Sequence, residues 1–169
     1  MLPPKVARMM VNLARGYLDE TAFESENKPT LYDPFCGSGT ILMEAMLRDF
    51  AVQGSDLDQA AVKGAEKNLN WLKKEYHLTA AARVLARDAT QSFNPQTKAW
   101  VEAIVTEPFL GKQTPKNHEL SDIFKGLYRT YLGAMKNWTQ ILKPGAVVII
   151  ITPIVVGQNK TYRLQKLID

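Results

Sequence analysis

Residues 31–40, Leu-Tyr-Asp-Pro-Phe-Cys-Gly-Ser-Gly-Thr, constrain the fold of this chain more than any other segment, because they place a carboxylate and two glycines where a strand gives way to a helix. Asp33 ends the strand. Gly37 and Gly39 lack the Cβ atoms that would keep a ligand off the backbone, and a helix starting near Ser38 offers unpaired N–H groups at its positive end. Such a turn can hold a charged small molecule, although many glycine-rich turns only connect a strand to a helix. Its details exclude the commoner nucleotide motifs. Leu42 stands where a dinucleotide fingerprint wants a third small residue, and Gly39 is followed by Thr40-Ile41 rather than by the lysine of a P-loop. Asp33 argues the same way, since a carboxylate at the mouth of the turn repels phosphate and favours an ammonium or sulfonium group.

Two further acids extend the pattern. The run Phe50 to Asp56 reads as a short buried strand ending in an acid, and Asp56 lies 56 − 33 = 23 residues beyond Asp33. In an α/β sheet that is the expected position of a carboxylate accepting hydrogen bonds from both ribose hydroxyls. Ala82 to Ala89 reads as a third strand, and Asp88 at its end is placed to accept an exocyclic amine of adenine. A single strand-end Asp is more commonly a cap or turn residue, and Asp58 is assigned that role at the start of the next helix.

The rest of the chain alternates strands and helices without repeats. A first helix, roughly Pro3 to Tyr17, sets Val6, Met10, Leu13 and Tyr17 at spacings of three and four, and a polar connector follows from Glu20 to Thr30. Helices are expected from about Ser38 to Arg48 and from about Asp58 to Tyr76, the second with Val62, Ala65, Leu69 and Leu72 on one face. The strand Val101 to Thr106 leads through a polar loop to a helix near Ser121 to Leu142, with Ile123, Leu127, Tyr131, Met135 and Trp138 inward. Lys143-Pro144-Gly145 is expected to stop that helix before a strand from Ala146 to Thr152, and Tyr162 to Asp169 to begin one more helix. This cadence means an α/β domain with a mainly parallel sheet covered on both faces.

A chain of 169 residues with 46% hydrophobic content suits one core rather than two. Its 21 basic against 17 acidic residues lean toward an anionic partner without the dense basic tracts of a non-specific nucleic-acid binder. The single Cys36 excludes an internal disulfide and points to a reducing cytoplasm. The apolar run near Ala146 to Ile151 is too short to span a bilayer. His77 and His118 have no partners at metal-ligand spacing, so no metal is expected.

Three acids ending three successive strands, the first beside Gly37-Ser38-Gly39, resemble a class I S-adenosylmethionine-dependent methyltransferase of Rossmann-like fold. Asp33 to Thr40 is similar to the first motif of RNA N-methyltransferases whose catalytic domain often follows a THUMP RNA-binding domain, including tRNA guanosine-N2 methyltransferases. Leu2 to Ala14 resembles the segment that precedes that motif. The resemblance implies that Asp33, Phe35, Cys36, Gly37, Ser38, Gly39 and Thr40 contact S-adenosyl-L-methionine around its methionine end. It implies Asp56 and Leu57 at the ribose, and Asp88 and Ala89 at the adenine. Cys36 itself reads as a small packed residue.

The same resemblance places the chemistry after the fourth strand, at Glu107, Pro108 and Phe109. There the family usually has Asp or Asn, Pro, Pro, then Tyr or Phe, so that a polar side chain and a carbonyl hold the target amine while the ring stacks on the base. Here Glu107 is one methylene longer than Asp, Phe109 stands at the second proline, and Leu110 stands where the aromatic belongs. The implied function is methyl transfer to an exocyclic base amine in RNA, first of all guanine N2 in tRNA. The alternatives are a cofactor-binding subunit without activity, or a methyltransferase for ribosomal guanine N2 or for adenine N6 in DNA or RNA. Residues 1–169 are expected to form one catalytic domain, with a cofactor half at 30–90, a substrate half at 100–169 and no THUMP domain. The last strands of a seven-stranded sheet are expected to be missing, leaving an edge near 146–152 for a partner or a second copy to cover.

Overall fold

A computed structural model describes residues 2–94 and 96–167. Five parallel strands form one sheet: β1 (Thr30–Asp33), β2 (Ala51–Asp56), β3 (Ala82–Ala86), β4 (Val101–Thr106) and β5 (Leu142–Ile150). Their order is β3-β2-β1-β4-β5. The chain therefore builds outward from β1 in one direction, then returns to the other side of β1 for β4, and the reversal opens a crevice between the carboxyl ends of β1 and β4. A separate antiparallel ribbon pairs β6 (Val155–Val156) with β7 (Thr161–Tyr162).

Side chains alternate across the sheet because the strand period is two. Leu31, Val52, Ala103 and Val105 face a core built with α1 (Pro4–Gly16), α2 (Thr40–Met46) and α3 (Gln59–Glu75). Tyr32, Val101 and Ile104 face the opposite layer, where α4 (Leu120–Trp138) contributes Ala134 and Trp138. The sheet is covered on both faces, as the cadence of the sequence requires. Strand β5 pairs only with β4 among the described residues.

Several local expectations hold. Asp58 caps α3, its Oδ1 accepting the Ala60 N–H at 2.8 Å, and Val62, Ala65, Leu69 and Leu72 form that helix's buried stripe. Others shift. In α1 the buried residues are Ala7, Met10, Val11 and Ala14, whereas Leu13 and Tyr17 are exposed. Small alanines on the inner face let this helix lie close to the sheet, and Met9, Leu13 and Tyr17 are turned outward. Helix α4 stops at Trp138 because Ile141 is drawn fully into the core, where its carbonyl accepts the N–H groups of Trp100 and Val101 at 2.8 and 3.0 Å. Strand β5 consequently starts at Leu142, and Lys143-Pro144-Gly145 bulges out between the Val101–Leu142 and Ala103–Val147 pairs, with Gly145 at φ +80°. The segment expected to begin a last helix instead holds β7 and a single 3-10 turn at Gln165–Leu167, while residues 168 and 169 lie outside the described residues.

Gly54 is where β2 and the turn after β1 approach most closely. A Cβ there would fall 2.5 Å from Leu42 Cδ1 and 3.0 Å from Cys36 Cβ. Leu42 is itself fully buried, so it cannot swing into solvent. Gly54→Ala should therefore lower stability by about 1–3 kcal/mol in a urea unfolding experiment, the range for overpacking a filled core.

Candidate active site

Because β1, β2, β3 and β4 are all parallel, the ends of these strands bring the sequence-predicted acids to one edge of the sheet. Asp33 is the last residue of β1 and is 1% exposed. Its Oδ1 accepts the hydroxyl of Thr106 at 2.7 Å and the N–H of Phe35 at 3.1 Å. Asp56, the last residue of β2, reaches across to the glycine turn: Oδ2 accepts the Gly37 N–H at 2.8 Å and Oδ1 the Asp58 N–H at 2.9 Å. The turn is thus held between carboxylates from two strands.

The two turn glycines have different tasks. Both have positive φ, +51° at Gly37 and +85° at Gly39, which side chains disfavour. A Cβ on Gly39 would sit 3.2 Å from Ala65 Cβ, so its bareness lets α3 close on the turn. A Cβ on Gly37 would meet nothing within 4 Å, so the backbone there opens onto free space. Cys36 is tied down by its N–H to the Ser55 carbonyl at 2.9 Å, and the Ser38 carbonyl accepts Asn68 Nδ2 at 2.9 Å. Helix α2 begins at Thr40, two residues later than the sequence suggests.

Over Gly37 lies a cleft of about 180 Å³, lined by Asp33, Phe35, Cys36, Ser38, Thr40 and Glu107 among others. Leu2, which sequence reasoning assigned no role in the site, closes one side. Glu107 forms no hydrogen bond or ion pair with the described protein, and so presents a free carboxylate to the cleft. Burial above all, with a smaller contribution from the nearby Asp56 and Glu107 charges, raises the Asp33 carboxyl to about 7 against the opposing pull of Thr106 and Phe35. A cation in the cleft would relieve Asp33. Burial also raises the Cys36 thiol, and the Asp33 and Asp56 carboxylates add to the effect, so it stays protonated and is no nucleophile.

The remaining predicted residues stand beside this cleft rather than in its lining. Leu57 is 77% exposed next to Asp56, a bare apolar surface at the end of β2. Asp88 lies two residues past β3, where its Oδ1 accepts both the hydroxyl and the N–H of Thr90, and these bonds hold its carboxyl below the usual range. Ala89 is buried, and its carbonyl accepts Asn137 Nδ2 at 3.1 Å, which fastens this loop to α4. Pro108 is buried, while Phe109 is 67% exposed with its carbonyl held by the Tyr131 hydroxyl at 2.9 Å.

Thr106 and Tyr131 are the positioning residues that sequence reasoning did not single out. Only the Tyr32–Ile104 register shows that Thr106 and Asp33 share one end of the sheet. A larger concavity of about 610 Å³ lies at the opposite end of the strands, by Thr30, Ala51 and Glu102. Ligands of open α/β sheets bind at the carboxyl ends, so size alone does not mark the site.

The model of one protein family, UPF0020, described as the RMKL-like methyltransferase domain, matches residues 2–153. The tRNA (guanine(10)-N2)-dimethyltransferase of Pyrococcus abyssi is 33% identical over 124 residues, covering 73% of this chain and 33% of the relative. The enzyme of the same name from Methanocaldococcus jannaschii is 34% identical over 128 residues, with the same coverages. The chain thus spans about a third of the length of these curated relatives. Among solved structures, the methyltransferase subunit of a type I restriction-modification system from Streptococcus thermophilus superposes with a TM-score of 0.62 at 16% identity, over 90% of this chain and 34% of that one. The plantazolicin methyltransferase BpumL, solved with SAH, gives 0.55 at 17% identity, over 88% of this chain and 48% of that one. With parallel strand order, glycine turn and family match in agreement, this chain belongs to the RMKL-like methyltransferase domain family.

Proposed function

We propose that this domain binds S-adenosyl-L-methionine over Gly37 and transfers its methyl group to an exocyclic base amine in RNA, with guanine N2 of tRNA as the target. The observation that carries this reading is the acidic cleft itself: Asp33, Asp56 and Glu107 converge on an open glycine backbone with no compensating cation among its lining residues. That arrangement suits a ligand with an ammonium and a sulfonium group and opposes a polyphosphate. The cleft is below the roughly 300 Å³ of a whole small-molecule site, which fits the methionine end alone. The adenosine end would then extend past Asp56 and the exposed Leu57 toward Asp88 and Ala89. When bound, S-adenosylmethionine supplies an electrophilic methyl group on a positively charged sulfur.

The chain's own residues do the rest. Glu107 would accept the N–H groups of the target amine at the rim of the cleft, orienting the nitrogen lone pair inward and taking its proton, directly or through water. Phe109 projects into solvent from a backbone fixed by Tyr131, and would stack on the base. The tRNA guanine assignment follows the names of the relatives above, and the cytoplasm is the matching compartment. No helix among the described residues is long and apolar enough to cross a membrane. The open edge of β5 is where a further strand, from a longer protein or a second copy, would pair. A second reading, a cofactor-binding subunit without turnover, is favoured by Phe109 and Leu110 standing where the family has proline and an aromatic residue.

Calorimetry with S-adenosylmethionine or S-adenosylhomocysteine tests the reading. Asp56→Ala should weaken binding by about 1.5–3 kcal/mol, through lost charge-assisted bonds to the ribose and a Gly37 N–H left without its acceptor. No binding by the intact domain, or equally tight binding of NAD or ATP, would sink it.

A further inference from the structure

In the loop after β4, Lys112 is paired with Glu119 at 2.8 Å, which also accepts the Lys116 backbone N–H. A stronger basic feature lies on α4. A cleft of about 670 Å³ runs between one face of that helix and the segment around β7. Its walls carry Lys125 and Arg129 from the helix and Lys160 and Arg163 from the segment, and among the described residues no carboxylate lines it. Lys125 is partly neutralised by Asp122 at 3.0 Å, and the Lys160 ammonium rests 4.7 Å over the Tyr162 ring. Arg129 and Arg163 have no ion-pair partner among the described residues. Phe124 and Tyr162, with ring centroids 5.6 Å apart, form an aromatic floor beside the half-buried ring of Tyr128.

From this juxtaposition we infer that the α4–β7 cleft is a binding surface for single-stranded RNA, its cations on the phosphates and its tyrosines against the bases. Cations supplied from two elements over a shared aromatic floor are the composition of a single-strand groove. A single small anion would not need the rings, and the carboxylate side chains of an acidic peptide carry no aromatic face to stack on them. The location is also suited to serving the active site. Helix α4 carries the cleft on its 124, 128 and 129 face, while its Tyr131 hydroxyl holds the Phe109 carbonyl and Ile123 lies where a Cβ on Gly111 would come within 3.1 Å. RNA seated there lies one helix face away from the loop that follows Glu107. The helix side of the cleft, with Lys125, Tyr128 and Arg129, falls within residues 2–153 matched by the family, and Lys160 and Arg163 fall beyond them. The proposal rests on the methyltransferase reading only for preferring RNA over other polyanions.

The test is fluorescence anisotropy of a short fluorescein-labelled oligouridylate with the full chain, titrated between about 50 and 200 mM salt. Combining Arg129→Ala, Lys160→Ala and Arg163→Ala should lower affinity at least tenfold and reduce the slope of log K against log salt by about 2, at about 0.7 per phosphate contact on a single strand. Tyr128→Ala should lower affinity about fivefold or more and leave the slope unchanged, because stacking releases no counterions. Calorimetric S-adenosylmethionine binding should match the parent in every variant. A parent that binds no RNA, or a triple variant with the parent's affinity and slope, overturns the proposal. So does an equal loss on neutralising Lys63, Lys67 and Lys74 of α3, where Glu66 sits among the lysines. Binding of anionic lipid vesicles or polyglutamate as tight as that of RNA, with the same sensitivity to the variants, would reassign the surface. Cleft-dependent RNA binding by a chain that takes no S-adenosylmethionine would uphold this inference while defeating the methyltransferase reading.

Discussion

Glu107→Ala is expected to cut methyl transfer by about a hundredfold or more while leaving S-adenosylmethionine affinity within about threefold. Glu107 has no hydrogen bond or ion pair in the described protein, so its removal leaves no buried group orphaned and the fold should be unaffected. What would disappear, on the proposed reading, is the carboxylate at the cleft that orients an incoming amine, a contact that matters most as the nitrogen begins to bond to the methyl carbon. Phe109→Ala should act differently, chiefly weakening RNA binding, because the role proposed for its exposed ring is to stack on the base and not to touch the reacting atoms. The converse experiment combines Glu107→Asp, Phe109→Pro and Leu110→Tyr. If the natural domain holds cofactor without turnover on unmodified tRNA and the triple variant gains turnover, this chain is a cofactor-binding subunit. An unchanged rate in Glu107→Ala would reduce that residue to an ordinary strand-end acid.

Asp33→Asn should make the protein more stable and nearly abolish cofactor binding. Burial raises the Asp33 carboxyl from 3.8 to about 7, so between those values the folded chain binds a proton that the unfolded chain has already released. Stability of the parent therefore falls as pH rises from about 4 to about 7, at up to about 1.4 kcal/mol per pH unit, and stays low above that window. Asparagine keeps an oxygen for the Thr106 hydroxyl and the Phe35 N–H but carries no charge to desolvate. Urea unfolding should show the variant about 2–4 kcal/mol more stable than the parent at pH 8, with the gap closing toward pH 4. S-adenosylmethionine bound as proposed would bring a cation beside Asp33, so parent affinity should rise with pH through about 7 while the variant's does not. Equal stabilities at pH 8 would show that Asp33 is not held charged against burial. On this reading the same acid weakens the fold and suits it to a cationic ligand, a common conflict at functional sites.

The local signals in the sequence were those that depend on near neighbours. The glycine turn, the Asp58 cap, the α3 stripe and the cadence of five parallel strands follow from bond geometry and from periods of two and 3.6, which operate within a few residues. The same reasoning placed Asp33, Asp56 and Glu107 at strand ends, and the parallel sheet gathers strand ends at one edge without further information. Periodicity misjudged α1, since it ranks faces by apolar bulk, whereas closeness to the sheet favoured the stripe of Ala7 and Ala14. It also carried α4 through to Leu142, since nothing local shows that Ile141 is pulled into the core.

Only the tertiary structure decided how the site works. The Thr106 hydroxyl that holds Asp33 comes from 73 residues away, and the Tyr131 hydroxyl that fixes the Phe109 carbonyl from 22. Whether a glycine serves a ligand or a neighbouring helix is likewise a matter of what stands opposite its missing Cβ, open space at Gly37 and Ala65 at Gly39. The raised Asp33 carboxyl is invisible in sequence for the same reason, because desolvation depends on every atom packed around a group and not on its position along the chain. Sequence by itself therefore determined which elements form and where their charged ends fall. Burial, hydrogen-bond pairing and the basic cleft between α4 and β7 were decided by contacts between residues far apart in the chain, whose energies exist only once the sheet has assembled.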